Sequence, residues 1–197
     1  MSTISIEKQH AIATYLASHD IPAGLGSEES ACSIGAINLS LAGRLTDDIP
    51  ACMSEVIGRW IIPVQDAMPA EMRNSTEWKR LLPLAAGTGR EKESERLAII
   101  LEWMWATTLP SLQQTADKCG FGGAWGEMCE LKTSAAAYAA ARAAYAAADA
   151  AARAAYAAAD AAYAAYAAAR AAYAAADADA AWQSFDPCKL LQKLIEV

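Results

Sequence analysis

The chain has 197 residues, 55% of them apolar, and a formal charge of −7. That length suffices for one buried core plus an appendage, and the acidic balance argues against general nucleic-acid binding. Five cysteines (Cys32, Cys52, Cys119, Cys129, Cys188) without a C-x-x-C spacing, and two histidines (His10, His19), exclude the usual zinc ligand sets and fit reduced thiols.

Residues 4–19 carry apolar side chains at helical spacing, which places Ile6, Ala13 and Leu16 on one face with Ser5 as cap. Ile21-Pro22, Gly24 and Gly26 interrupt the pattern. Ser27 is then the expected cap of a second helix, with Glu28 and Glu29 in its first turn and Ile34, Ile37 and Leu41 facing inward, closed by Gly43. Asp48 and Pro50 read as the start of a third helix through Cys52, Val56 and Trp60 that stops near Pro63. Ser75 caps a helix carrying Trp78 and Leu81, with Pro83 as its expected end. A longer helix follows from Arg90 to about Thr108, with Leu97, Ile100, Leu101 and Met104 directed inward. Another begins at Pro110 and ends before Gly120. No stretch shows the period-2 alternation of strands.

The expected architecture is therefore all-α, in three parts. Residues 1–123 form a Trp-rich helical bundle, 124–184 a long alanine-rich helix, and 185–197 a C-terminal docking helix. In the last, Asp186 caps, Pro187 opens the first turn, and Leu190, Leu191, Leu194 and Ile195 make an apolar patch.

Residues 135–181 include 34 alanines, the residue of highest helix propensity. Twelve of the other side chains follow one another at steps of three or four: Tyr138, Arg142, Tyr145, Asp149, Arg153, Tyr156, Asp160, Tyr163, Tyr166, Arg170, Tyr173 and Asp177. On a helix of 3.6 residues per turn they form one continuous ridge. Asp179 alone falls off it. Unbroken, the segment would extend about 70 Å, well beyond a compact domain of this size. It must project, fold back or pair with another chain. Charges recur too often along it for a membrane span. The alanine side suits close helix packing, which leaves the ridge either as a solvated stripe or as a recognition surface, since Tyr and Arg are enriched at binding hot spots. The recognition reading places a protein partner, or a second copy of the chain, on Tyr138, Arg142, Tyr145, Asp149, Arg153, Tyr156, Tyr163, Tyr166, Arg170 and Tyr173.

A second candidate surface consists of Arg44, Arg59, Arg73, Asn74 and Arg90, which in a cleft beside Trp60 and Trp78 would suit a small anionic, nucleotide-like ligand. Gly87-Thr88-Gly89-Arg90 opens a helix and offers backbone N–H groups, but it lacks the spacing and Lys-Ser/Thr ending of a phosphate-binding loop. Serine occurs in no nucleophile-elbow context. No catalytic residue, metal or cofactor is implied. Met1 to Leu16 lacks the basic and long apolar regions of a secretory leader, so the expected location is cytoplasmic.

The stretches Ser27-Glu28-Glu29-Ser30-Ala31-Cys32, Met53-Ser54-Glu55-Val56-Ile57-Gly58 and Met72-Arg73-Asn74, with the Ala/Tyr/Arg/Asp tail, resemble alanine-rich proteins of bacteria and their phages. Some of those are labelled immunity proteins. The resemblance implies a non-enzymatic binding protein acting in phage–host conflict, and it assigns no residue a role.

Overall fold

The computed structural model describes residues 4–157 and 185–196, with the backbone alone at 134 and 149–157. Among the described residues the protein is all-α apart from one two-stranded hairpin. In chain order come α1 (Ile6–Ser18), β1 (Gly26–Ser27), β2 (Ser30–Ala31), α2 (Ser33–Ala42), α3 (Glu55–Ala67), α4 (Ala70–Arg73), α5 (Thr76–Ala85) and α6 (Glu93–Trp103). A π-helical turn (Met104–Thr108), α7 (Leu109–Ser111), α8 (Gln113–Lys118), α9 (Gly122–Leu131), α10 (Ser134–Ala157) and α11 (Pro187–Glu196) follow. The chain divides into two compact units. One joins Met1–Leu101 to Asp186–Val197; the other is Glu102–Phe185.

In the first unit α1 packs on α2 and α5, α2 on α3, and α11 on α5 and α3. Ile12 and Leu16 of α1, Ile34 and Ile37 of α2, Ile57 and Ile61 of α3, Trp78, Leu81 and Leu82 of α5, and Leu190, Leu191 and Leu194 of α11 are buried. The expected α1 face is thus corrected. Ile12 shares it with Leu16, while Ile6 is 80% exposed and Ala13 also faces outward. Trp78, wholly buried, donates its indole N–H to the Ser33 hydroxyl at 3.1 Å, which removes the cost of burying that donor.

Several helix ends differ from expectation for identifiable reasons. Ser27 does not cap a helix. It pairs with Ser30, and Gly26 with Ala31, in the antiparallel hairpin. Gly26 has φ +77°, and a Cβ there would collide with the Ser30 carbonyl, so the turn needs glycine. α2 starts later, with the Cys32 sulfur accepting from Gly35 N at 3.1 Å and the Gln65 side-chain oxygen accepting from Ser33 N. Residues 44–54 are not helical. Asn38 Nδ2 donates to the Thr46 and Asp48 carbonyls, both at 2.8 Å, and Ile49 lies where a Cβ on Gly58 would stand, 2.6 Å from its nearest carbon. α3 begins at the Ser54 cap instead, and it continues through Pro63, as α5 does through Pro83. An interior proline costs about 3 kcal/mol or more. Burial of Gln65 and Met68 beyond the first and Ala85 beyond the second keeps the helix going.

The aliphatic face expected on α6 is also displaced. Leu97 is 50% and Leu101 46% exposed, Ile100 and Met104 are half-buried, and the buried residues are Arg96 and, at the helix end, Trp103. Arg96 Nε donates to the Leu194 carbonyl (3.1 Å), Nη1 to Gly89 (3.1 Å) and Nη2 to Thr88 (3.0 Å). A buried cation is tolerable when its donors are matched in this way.

In the second unit α9 ends at Lys132, whose φ of 52° closes it, and α10 starts anew at Ser134. Thr133 caps it, its hydroxyl accepting from Ala136 N at 3.2 Å. The alanine helix read from 124 therefore begins ten residues later. α10 is helical through Ala157, 24 residues. Whether the helix extends past 30 residues, and whether the segment is one rod or turns near Asp160 to Tyr166, lies outside the described residues. Met128, Ala136 and Ala140 form the buried centre of this unit, flanked by Trp105, Leu109, Trp125 and Ala137.

Candidate functional site

The ridge begins on α10, and its orientation follows from what the opposite side touches. Ala136 and Ala140, one turn apart, are 8% and 1% exposed against Met128 of α9. Trp125 fixes that contact from α9, its indole N–H donating to the Leu109 carbonyl at 2.9 Å and its ring meeting Phe121 edge-on at 6.0 Å. Methyl side chains let the helices approach closely. The same geometry turns Tyr138 and Tyr145 outward, 69% and 78% exposed, with Arg142 exposed between them. Tyr138, Arg142 and Tyr145 thus lie along one solvent-facing stripe. Asp149, Arg153 and Tyr156 continue the register on the helical backbone of α10. Tyr163, Tyr166, Arg170 and Tyr173, with Asp160 and Asp177, lie outside the described residues.

The second candidate set is not assembled into one cleft. Arg73 donates from Nε to the Ile21 carbonyl (2.9 Å) and from Nη1 to Met68 (2.6 Å). Asn74 accepts from Ile21 N at 2.7 Å and donates to the Ile21 and Ala70 carbonyls. Both therefore hold the chain after α1 against α4. Arg59 and Arg90 converge instead on Glu55, with Arg59 Nη2 2.8 Å from one carboxylate oxygen and Arg90 Nη1 2.9 Å from the other. Arg44 is exposed. The expected anion-binding group is thus divided between backbone clamps and an ion-pair cluster, with its positive charge partly neutralised by Glu55. Trp78 is core, and half-buried Trp60 leans on it with ring centres 6.2 Å apart.

The Gly87–Arg90 turn is likewise committed to structure. Thr88 Oγ1 accepts from Ser54 N (3.0 Å) and donates to the Ala85 carbonyl (2.8 Å), and Gly89 N donates to Cys52 O (2.9 Å). The nearby helix start that could have received an anion already holds one. Glu93 accepts from the Ser54 hydroxyl (2.6 Å) and from the backbone N–H groups of Glu55 (2.8 Å) and Val56 (3.1 Å). Partial burial opposes its charge, but the Ser54 hydroxyl, these two N–H groups and Arg96 outweigh it and hold Glu93 below the ordinary carboxylate range.

Burial works against the reactive thiolate at four of the five thiols, while Cys119 is exposed. Burial raises the pKa of Cys32, Cys52 and Cys129, and pushes Cys188 up to about 11, where Glu77 adds to the effect. A thiol so shifted is mostly protonated near neutrality, and the thiolate is the reactive form. Among the described residues no group of three or more His, Cys, Asp and Glu side chains is placed to hold a metal ion, and no helix is long and apolar enough to cross a membrane.

Sequence reasoning passed over Glu93 and Arg96, each of which makes three hydrogen bonds in the first unit. A glutamate in the first turn of a helix carries no sequence signal beyond that of an ordinary dipole partner. The only signal for Arg96 was a basic residue between Glu95 and Leu97 at the edge of the apolar stripe. No family model matches the chain, and no curated protein or solved structure does either.

Proposed function

We propose that this chain is a non-enzymatic helical binding protein that engages a macromolecular partner, in the first instance a second copy of itself, through the Tyr/Arg/Asp ridge of α10. One observation carries the reading: Tyr138 and Tyr145 stand 69% and 78% exposed on a helix whose opposite side is already packed. Burying about 100 Å² of each ring would contribute roughly 2.5 kcal/mol per tyrosine at about 25 cal/mol per Å², before the cost of association. Arg142 supplies donors beside the rings, and the ridge continues with Asp149 and Arg153, so both signs alternate along it. Such a stripe can meet its own copy without placing like charges together throughout. The alanine side at positions 136 and 140 is occupied by α9 of the same chain, which makes the ridge the more accessible contact.

Sedimentation over micromolar to millimolar concentrations tests the proposal. The wild type is expected to gain mass with concentration, and Tyr138→Ala/Tyr145→Ala to remain monomeric with unchanged helicity. A wild-type mass that stays monomeric throughout removes the self-binding form of the reading. Sequestration of a small anion is supported less well, because Arg73 is spent on backbone carbonyls and Arg59 and Arg90 on Glu55. The role in phage–host conflict rests on the sequence resemblance alone.

A further inference from the structure

α6 presents a side that nothing covers among the described residues. Arg96 and Trp103 are its buried residues, and Leu97, Ala98 and Leu101 stand exposed on the side away from them. One exposed leucine is ordinary on a protein surface, but Leu97 and Leu101 are one turn apart and form a continuous apolar strip. Glu95 and Glu102, also exposed, lie two turns apart along one edge of that strip. Among the described residues neither carboxylate has a hydrogen bond or ion pair. The cations nearest in sequence do not neutralise that edge. Arg96 gives its donors to three carbonyls, and Lys92 precedes the helix.

The outward side of α6 is thus apolar along its middle and acidic along one edge. Such a side is a poor mate for its own copy. An antiparallel two-fold pair brings the same edge of each helix together, so Glu95 and Glu102 would face their counterparts. A parallel pair sets that edge against the one carrying Leu97 and gives the carboxylates no cation. Tyr138, Arg142 and Tyr145 of α10 supply what α6 lacks. Their two exposed rings flank an exposed guanidinium that no carboxylate holds among the described residues. The three span two turns of α10, the same length as Glu95 to Glu102 on α6. Rings laid on Leu97 and Leu101 bury apolar surface on both sides, and Arg142 between them reaches the acidic edge.

We infer that the outward side of α6 is the surface of a second copy that receives the α10 ridge. This pairing rests on the self-association proposed above and names the other half of its contact. The contact is heterologous, with the ridge of one chain against α6 of the other.

Sedimentation of full-length variants tests the pairing by complementation. Leu97→Gln/Leu101→Gln alters two exposed side chains, so helicity and melting should be unchanged, and the chain should stay monomeric where the wild type gains mass. Tyr138→Ala/Tyr145→Ala, which lacks the ridge, should also stay monomeric. An equimolar mixture keeps one whole contact, the ridge of the first variant and α6 of the second, and should gain mass as a 1:1 complex. Charge reversal reads the same contact independently. Glu102→Lys should weaken association about tenfold, and adding Arg142→Glu to the same chain should restore it. A wild type that stays monomeric removes the self-association and the α6 pairing together. If instead the wild type gains mass, three results overturn the α6 pairing and leave the self-association standing: an equal gain by Leu97→Gln/Leu101→Gln, a mixture that stays monomeric, or no rescue by Arg142→Glu.

Discussion

In the first unit one buried tryptophan and one buried arginine reach across dozens of residues to named partners, whereas the buried positions of α10 are methyl groups. Trp78 meets Ser33 and Arg96 meets Leu194. Ala136 and Ala140 merely touch Met128 and its neighbours. Both regions are helical, but specificity resides differently in each. Large irregular side chains and directional hydrogen bonds permit one arrangement and penalise the rest. Small uniform ones permit close approach, and their register comes from the few residues around them, here Trp125 and the Thr133 cap. A strong local propensity therefore makes the alanine helix easy to form, while tertiary contacts decide the helices of the first unit.

Truncating the most buried group of the first unit should give the largest effect. Trp78→Ala removes a wholly buried ring and leaves the Ser33 hydroxyl without its donor, so chemical denaturation should show a loss of about 3–5 kcal/mol. A loss below about 1 kcal/mol would mean that this core is no more specific than the alanine contact, and the contrast between the regions would fail. In α10 the sensitive direction is the opposite one. Ala140→Leu forces extra carbons into a site 1% exposed and should cost about 1–3 kcal/mol, the usual range for overpacking. A stabilised variant would reveal space beside Ala140 that the close α9–α10 contact does not predict.

These regions were unequally legible in the sequence. Three caps were readable from a local signal, although the same kind of signal at Ser27 ends in the β1–β2 hairpin instead. Ser5, Ser75 and Asp186 each accept from the backbone N–H three residues on, as their positions relative to the apolar runs imply. The docking patch of α11 was readable for the same reason, since Leu190, Leu191 and Leu194 repeat at helical spacing and all three are buried. Interior Pro63 and Pro83 misled, because tertiary burial outweighed a local breaker. Cys32 as a cap, Glu93 as the anion of the α3 start and Arg96 as a three-carbonyl clamp could not be read, because their partners or competitors are set by contacts up to 98 residues away. Periodicity counts apolar residues, so it assigned the α6 interior to Leu97 and Leu101 instead of the arginine between Glu95 and Leu97. The alanine segment showed the complementary weakness. Its helix was plain from composition, but the break at Lys132 was not, since no glycine or proline marks it.

A smaller and pH-dependent effect should isolate the directional bonding of the first unit. Glu93→Gln keeps the shape but replaces one acceptor oxygen with a donor facing the α3 start. Near pH 7 it should cost about 1–2 kcal/mol, the range of a lost N-terminal cap. The folded state holds Glu93 below its ordinary pKa of 4.5, so its contribution is fully present above that value. It fades as the pH falls through the lower folded pKa. Denaturation of wild type and variant from pH 7 to pH 3 should therefore show the difference shrinking in acid. A difference independent of pH would assign the cost to packing and not to the carboxylate.

The smallest effect is expected on the outward side of the helix whose inward side makes Ala140→Leu costly. Tyr138→Ala/Tyr145→Ala removes two rings that are 69% and 78% exposed, so little native contact disappears. Alanine is the better helix former by up to about 0.7 kcal/mol per residue, which offsets the small loss of ring contact along the helix. Stability should stay within about 0.5 kcal/mol of wild type, and helicity by circular dichroism should hold or rise. The comparison is sharp because both substitutions act on one helix within a few residues of each other. If the double variant lost as much as Ala140→Leu, the rings would be core elements and the assignment of sides on α10 would be reversed. If its stability held while concentration-dependent mass gain vanished, fold and binding would be separable on this helix, with alanines packing inward and tyrosines meeting the partner.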